Sequence, residues 1–222
     1  MFYDRGPTQH AVMLLTFWSL AILGIKWLKL RHQRKMLNEE FLPDRPDFVL
    51  GTSNVDTVLD SIHDLIDDPS RFVLTNRIKI ALSNLKNLGR VSDVDDIFRS
   101  QADTDESLLE STYSILNGFI WAIPVLGFIG TVLGLSESIS SFGGVLKDSK
   151  ADMQAIKSNL TQVTSGLATA FETTLVALVA ALIVQLLATF LRKNEQTFLD
   201  DCSEYCLRKI VNRIRIVSDQ QN

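Results

Sequence analysis

Two threonines and a glutamate lie deep inside long apolar runs, where water is scarce and a polar group needs a reason to be. Thr131 lies in NGFIWAIPVLGFIGTVLGLSESISSF, and Glu172, Thr173 and Thr174 lie in TQVTSGLATAFETTLVALVAALIVQLLATFL. Counted from the outer ends of the two runs, Thr131 and Thr174 are each about ten residues in. At 1.5 Å per residue that is about 15 Å, near the middle of a hydrocarbon core of about 30 Å. A single threonine in a helix can satisfy itself on its own i−4 carbonyl. Two at one depth on adjacent helices can instead form a polar lining, because a hydroxyl both donates to and accepts from an ion or a carboxyl group. An intramembrane carboxylate is costly and faces protein or water, so Glu172 is a candidate for an ion path, the alternative being a residue near a wide outer vestibule.

Other residues set the geometry around this group. Gly127, Gly130, Thr131, Gly134, Ser138 and Ser141 recur at steps of three and four, as do Gly166, Ala170, Thr173, Thr174, Ala177, Ala181 and Ala188. Each set therefore lies on one helix face. In lipid, small residues permit close backbone approach, and Gly130 and Gly134 form a GxxxG pair. These stripes predict tight packing, either with each other or around something inserted between subunits. For any one of these residues, plain helix packing is explanation enough. Pro124 removes a backbone donor and marks a bend or hinge beside Gly127 and Gly130. Glu137, near the outer end of its run, is an interfacial acid or a candidate for one mouth of a path, and Glu110, before the inner end, is a candidate for the inner mouth.

The elements carrying these residues are spanning helices. A first apolar run, QHAVMLLTFWSLAILGIKWL, precedes the basic stretch KLRHQRK. It lacks an A-x-A-like cleavage site and its charge follows it, as expected of a spanning helix rather than a secretory signal. Trp27 suits an interface, and Lys26 is placed to snorkel from the last turn. The positive-inside rule puts the basic flank in the cytoplasm and the N-terminus outside. The expected division is a short periplasmic N-terminus (1–8), a first span (9–30), a cytoplasmic helical region (31–112), a two-span region (113–195) with spans at about 116–141 and 160–191, and a cytoplasmic C-terminal helix (196–222). Between the spans, VDTVLDSIHDLI and RFVLTNRIKIALSNLKNLG show helical periodicity, and a further helix starts near Ser92. The tail carries Phe198, Cys202, Tyr205 and Cys206 near one helical face. The fold class is therefore all-α, an integral membrane protein with three transmembrane helices and cytoplasmic helical extensions.

The 222 residues have a formal net charge of −4, which gives no basic surface for nucleic acid. The mean hydropathy of +0.14 is modest because apolar and charged residues are segregated. The 2 cysteines and 3 scattered histidines lack the spacing of a metal site and fit reduced thiols in a cytosolic helix. There is no phosphate-binding glycine loop, HExxH or nucleophile triad, so the chain is not read as an enzyme and needs no cofactor. A membrane scaffold recruiting cytoplasmic proteins and a self-sufficient ion channel or transporter remain open from the residues alone.

IPVLGFIGTVLGL (Ile123 to Leu135) followed by SGLATAFETTLVALVAAL (Ser165 to Leu182) closely resembles the MotA/TolQ/ExbB proton channel family over roughly residues 110 to 195. The three-span layout looks like the TolQ/ExbB branch. The resemblance implies a pentamer in the bacterial inner membrane around a dimer of single-span ExbD/TolR/MotB-like partners. In that arrangement the partner brings an ion-carrying aspartate, and Thr131 and Thr174 line its path. It implies a stator or energiser that couples H⁺ or Na⁺ flow to mechanical work, with the residue matching Pro124 tied to coupling. Where TolQ and ExbB carry a glutamate early in the third span, this chain has Thr169, and its own acid, Glu172, comes a helical turn later. The pair Thr173-Thr174 resembles sodium-using members.

Overall fold

In a computed structural model, residues 7–39, 41, 54–66, 68–88, 91–146 and 153–214 are described, and these form helices and short turns. Helix α1 is Pro7–Arg34, α2 Val55–Leu65, α3 Val73–Leu88, α4 Val91–Leu146 and α5 Met153–Tyr205. Single turns follow α1 (Lys35–Asn38), precede α3 (Pro69–Arg71) and extend α5 (Cys206–Ile210, then Val211–Arg213). Three of the helices are long and apolar enough to cross a membrane. The helix expected from near Ser92 and the second span are one uninterrupted element, α4, which passes through Pro124. Pro43, Pro46, Gly51, Asp67, Gly89, Lys147, Asp148, Lys150 and Asp152 lie outside the described residues.

The chain divides into two compact units, Met1–Gly24 with Tyr113–Phe190, and Ile25–Thr112 with Leu191–Asn222. Helices α1, α4 and α5 each contribute a segment to both.

In the first unit the inside is small and the outside is large. Val12, Ile123, Ala177 and Ala181 are buried together, with Leu15, Leu126 and Ala180 packed against them. Phe17, Trp18, Trp121, Phe128, Phe171, Leu182 and Phe190 are exposed. In water such a surface would drive aggregation. In lipid it is the solvated face, and helices satisfy their own backbone groups there. The buried positions of α1 follow a heptad seam through both units: Gln9, Val12, Thr16, Ser19, Leu23, Lys26, Leu30 and Gln33 are each buried or half-buried. This spacing suits packing at a shallow angle. Two of its polar members bond within the helix, Thr16 donating to the Val12 carbonyl at 2.7 Å and Ser19 to the Leu15 carbonyl at 2.8 Å, while the buried Gln9 amide makes no such bond.

The second unit packs Val55, Val58 and Ile62 of α2, Leu74, Ile78, Ala81, Leu82 and Leu85 of α3, Val94 and Phe98 of α4, and Phe198, Cys202, Cys206 and Ile210 from the far end of the chain. Lys26 does not snorkel into a headgroup layer. Its ammonium lies 2.9 Å from Oε2 and 3.1 Å from Oε1 of Glu195, with side chains only 17% and 12% exposed. The physical reason is the seam: Lys26 faces inward on α1, and a carboxylate waits on α5. Arg77, 1% exposed, places Nε 2.6 Å from Asp105 and Nη1 2.9 Å from the Ser203 hydroxyl. Burial pushes the Cys202 and Cys206 thiols up to about 12 from the ordinary 9.0, against the opposing pull of Arg77.

Candidate functional site

The small-residue stripes of α4 and α5 face each other within the first unit. A Cβ added at Gly127 would stand 2.5 Å from the Ala177 Cβ, and one at Gly134 would stand 3.1 Å from the Ala170 Cβ. One at Gly130 would meet the Thr173 methyl at 3.4 Å and the Thr8 hydroxyl of α1 at 2.9 Å, and one at Gly166 would run into the Ser138 hydroxyl. Each step of one turn down α4 is matched by one turn up α5, which is the register of two antiparallel helices in backbone contact. Glycine is required at Gly127 because any side chain there would drive the helices apart.

This closeness puts Thr131 and Thr174 together. Their hydroxyls are hydrogen-bonded to each other. Thr174 Oγ1 donates to the Gly127 carbonyl at 2.8 Å, and Thr131 Oγ1 lies 3.2 Å from the carbonyls of both Gly127 and Ala170. The cluster thus holds four oxygens and two hydroxyl protons, leaving it rich in acceptor capacity. Both threonines are half-buried, so the cluster is not sealed. From Ile115 to Thr131, and from Thr174 to Phe190, helical rise gives about 24 Å. Ile115 and Phe190 are both exposed and apolar.

Next to the pair is a groove of about 790 Å³. Gly130, Ala170 and Thr173 line it, one turn from the threonine pair, and Ala170 belongs to both through its carbonyl. The rest of its wall mixes Thr8, Glu137, Ser138, Ser158, Thr161, Gln162, Ser165 and Thr169 with the apolar Pro7, Leu133 and Val163. Glu137 is thus a groove residue, exposed on α4. Thr173 is 5% exposed and donates to its own Thr169 carbonyl at 2.9 Å, while Thr169 donates to Ser165 at 3.0 Å.

The structure does not bring Glu172 to this cluster. Glu172 is exposed and shares a stripe of α5 with the exposed Leu175, Val179, Leu182 and Leu186, away from α4. Glu110 is held in an exposed ion pair with Arg192 at 2.9 Å in the second unit. The Ser141 side chain lies outside the described residues, while Gly166, Ala170, Ala177 and Ala181 all meet α4 or its core. Sequence reasoning missed Thr8, which seats against Gly130, and the polar seam of α1. The seam was visible as polar residues at heptad spacing in an otherwise apolar run.

A family model described as the MotA/TolQ/ExbB proton channel family matches residues 67–204. No curated protein matches the chain.

Proposed function

This chain belongs to the MotA/TolQ/ExbB proton channel family, and we propose that it is the channel-forming subunit of an ion-driven stator or energiser. In this reading it assembles as a pentamer in a bacterial inner membrane, with its N-terminus periplasmic and its C-terminus cytoplasmic. It works with a single-span ExbD/TolR/MotB-like partner that carries an aspartate, and the cargo is H⁺ or Na⁺.

The observation that carries the reading is the oxygen cluster of Thr131, Thr174 and the Gly127 and Ala170 carbonyls beside a groove whose wall carries several hydroxyls and Glu137. A hydroxyl is suited to a carboxyl group that changes protonation state. It accepts a hydrogen bond when the carboxyl is protonated and donates one when the carboxyl is ionised. The partner aspartate would then exchange its proton through the groove and meet the threonines in either state. A sodium ion would use the same oxygens as ligands.

The test is Thr131→Val and Thr174→Val, which keep the shape and remove the oxygen. With the chain and its partner reconstituted in vesicles, each change should lower ion flux at least about tenfold, the effect of roughly 1.4 kcal/mol. Membrane insertion should be unchanged, and Thr131→Ser and Thr174→Ser should retain flux. Wild-type flux in both valine variants would refute the ion-path role. The exposed Glu172 favours a second reading, a channel that conducts without a partner, and flux through the chain alone that is lost in Glu172→Gln would select it.

A further inference from the structure

In the second unit Arg77 of α3 is a buried charge whose hydrogen bonds are incomplete. A guanidinium carries five N–H groups and no acceptor. Nε donates to Asp105 of α4 at 2.6 Å. Nη1 donates to the Ser203 hydroxyl at 2.9 Å and faces the Leu199 carbonyl at 3.5 Å, both on α5. Nη2, with two N–H groups, is closed to bulk solvent and meets no acceptor among the described residues. A buried donor left unmet forfeits its hydration, and a charged one forfeits more than a neutral one.

Beside this group is a cavity of about 90 Å³. Arg77 lines it together with Ser203 and Leu199, the two acceptors of Nη1, so the guanidinium end forms part of its wall. The other polar groups around it are Asp103 and Glu106, one turn apart on α4, and Gln196 and Asp200, one turn apart on α5. The three carboxylates are exposed, and none pairs with a cation among the described residues. An occupant must therefore accept from Nη2 at the wall and donate to carboxylates at the rim. A bare metal ion fails the first requirement, and among the described residues no acids are grouped to hold one. An anion fails the second, because three carboxylates face it. Water meets both, and the site offers it both room and polar partners.

We propose that this cavity holds about three ordered waters, each taking about 30 Å³, as liquid water does. The innermost accepts from Arg77 Nη2, and the others pass its protons on to Asp103, Glu106 or Asp200. The waters complete the shell of the guanidinium and join α3 to α4 and α5. The site stands whether or not Thr131 and Thr174 line an ion path.

The experiment uses the purified full chain in detergent and fills the cavity from its half-buried Ala102 wall. Ala102→Leu should lower the thermal midpoint by about 3–6 °C, because it expels water that Arg77 needs. In the Arg77→Met, Asp105→Leu background no charge is left to hydrate, and the same change should leave the midpoint unchanged or raise it. A crystal or cryo-EM map fine enough to show ordered water should place one within about 3.2 Å of Nη2, and it decides the matter if the double background does not fold. A higher midpoint in Ala102→Leu alone means a dry cavity and overturns the proposal, as does an equal loss in both backgrounds, which is plain overpacking. So does a map with a carboxylate of the cavity, or no water, at Nη2. A midpoint that falls when chloride is exchanged for gluconate, in the wild type but not in the Arg77→Met, Asp105→Leu variant, also overturns it, because the occupant is then an anion.

Discussion

The closest approach of α4 and α5 can be tested with a single methyl group. In Gly127→Ala the new Cβ would lie 2.5 Å from the Ala177 Cβ and 3.4 Å from the Thr174 Cα. Optimal carbon contacts are about 3.5–4.0 Å, so the helices must part by about 1 Å or more. Overpacking of this kind costs about 1–3 kcal/mol. Parting also stretches the bonds from Thr174 to Gly127 and from Thr131 to Ala170, worth about 0.6 kcal/mol each in membrane proteins. Alanine's better helix propensity returns up to about 1 kcal/mol. The net expectation is destabilisation of about 2 kcal/mol. Gly134→Ala, with a 3.1 Å approach to Ala170, should cost less. Gly118→Ala, with nothing within 4 Å, should be neutral or slightly stabilising. The assay is the denaturation midpoint of the purified chain in detergent, followed by tryptophan fluorescence. The double variant Gly127→Ala with Ala177→Gly moves the methyl from one helix to the other and should recover at least about 1 kcal/mol relative to the sum of the single changes. If Gly127→Ala were as stable as Gly118→Ala, or the swap showed no coupling, the backbone contact described here would be wrong, and with it the reason Thr131 meets Thr174.

Two further outcomes follow from the second unit. Lys26→Met or Glu195→Gln should each destabilise by about 3 kcal/mol because one largely buried partner is stranded, whereas Lys26→Met with Glu195→Leu should recover much of that loss, checked by the same unfolding midpoint. Cys202 and Cys206 should resist maleimide at pH 8 in the folded chain and react once it is denatured. Since their folded pKa is raised, the stability they contribute is complete below pH 9 and is lost as pH rises toward about 12, which an alkaline unfolding series against the Cys202→Ala, Cys206→Ala variant would show.

Much of this architecture could be read from residue order. Apolar runs of sufficient length announce spanning helices whatever their neighbours do, and three membrane-capable helices are present. The stripes of Gly127, Gly130, Gly134 and of Gly166, Ala170, Ala177 were legible because small residues at helical spacing have few uses in lipid other than close packing. What the pattern left open was whether those stripes pack together or around a guest. They pack together, a choice set by register between two helices rather than by either helix alone. Glu172 shows the same limit. Being next in sequence to Thr173 turns it about 100° around the helix, enough to take it off the seam. Lys26 was misjudged because a cation near a span end has two destinations, headgroup or carboxylate, and Glu195 is far away in sequence.

Gln33 of α1 accepts from the Val73 backbone N–H at 3.0 Å and donates to the Arg71 carbonyl at 2.7 Å. The opening turn of α3 is thus closed by a side chain from a helix whose other end is apolar enough to enter a bilayer. Excising residues 55–112 as a water-soluble fragment would strip away this clasp along with the α5 side of the core. The α2–α3 hairpin thus draws its opening bonds from α1 and part of its core from α5, so its stability depends on both helices.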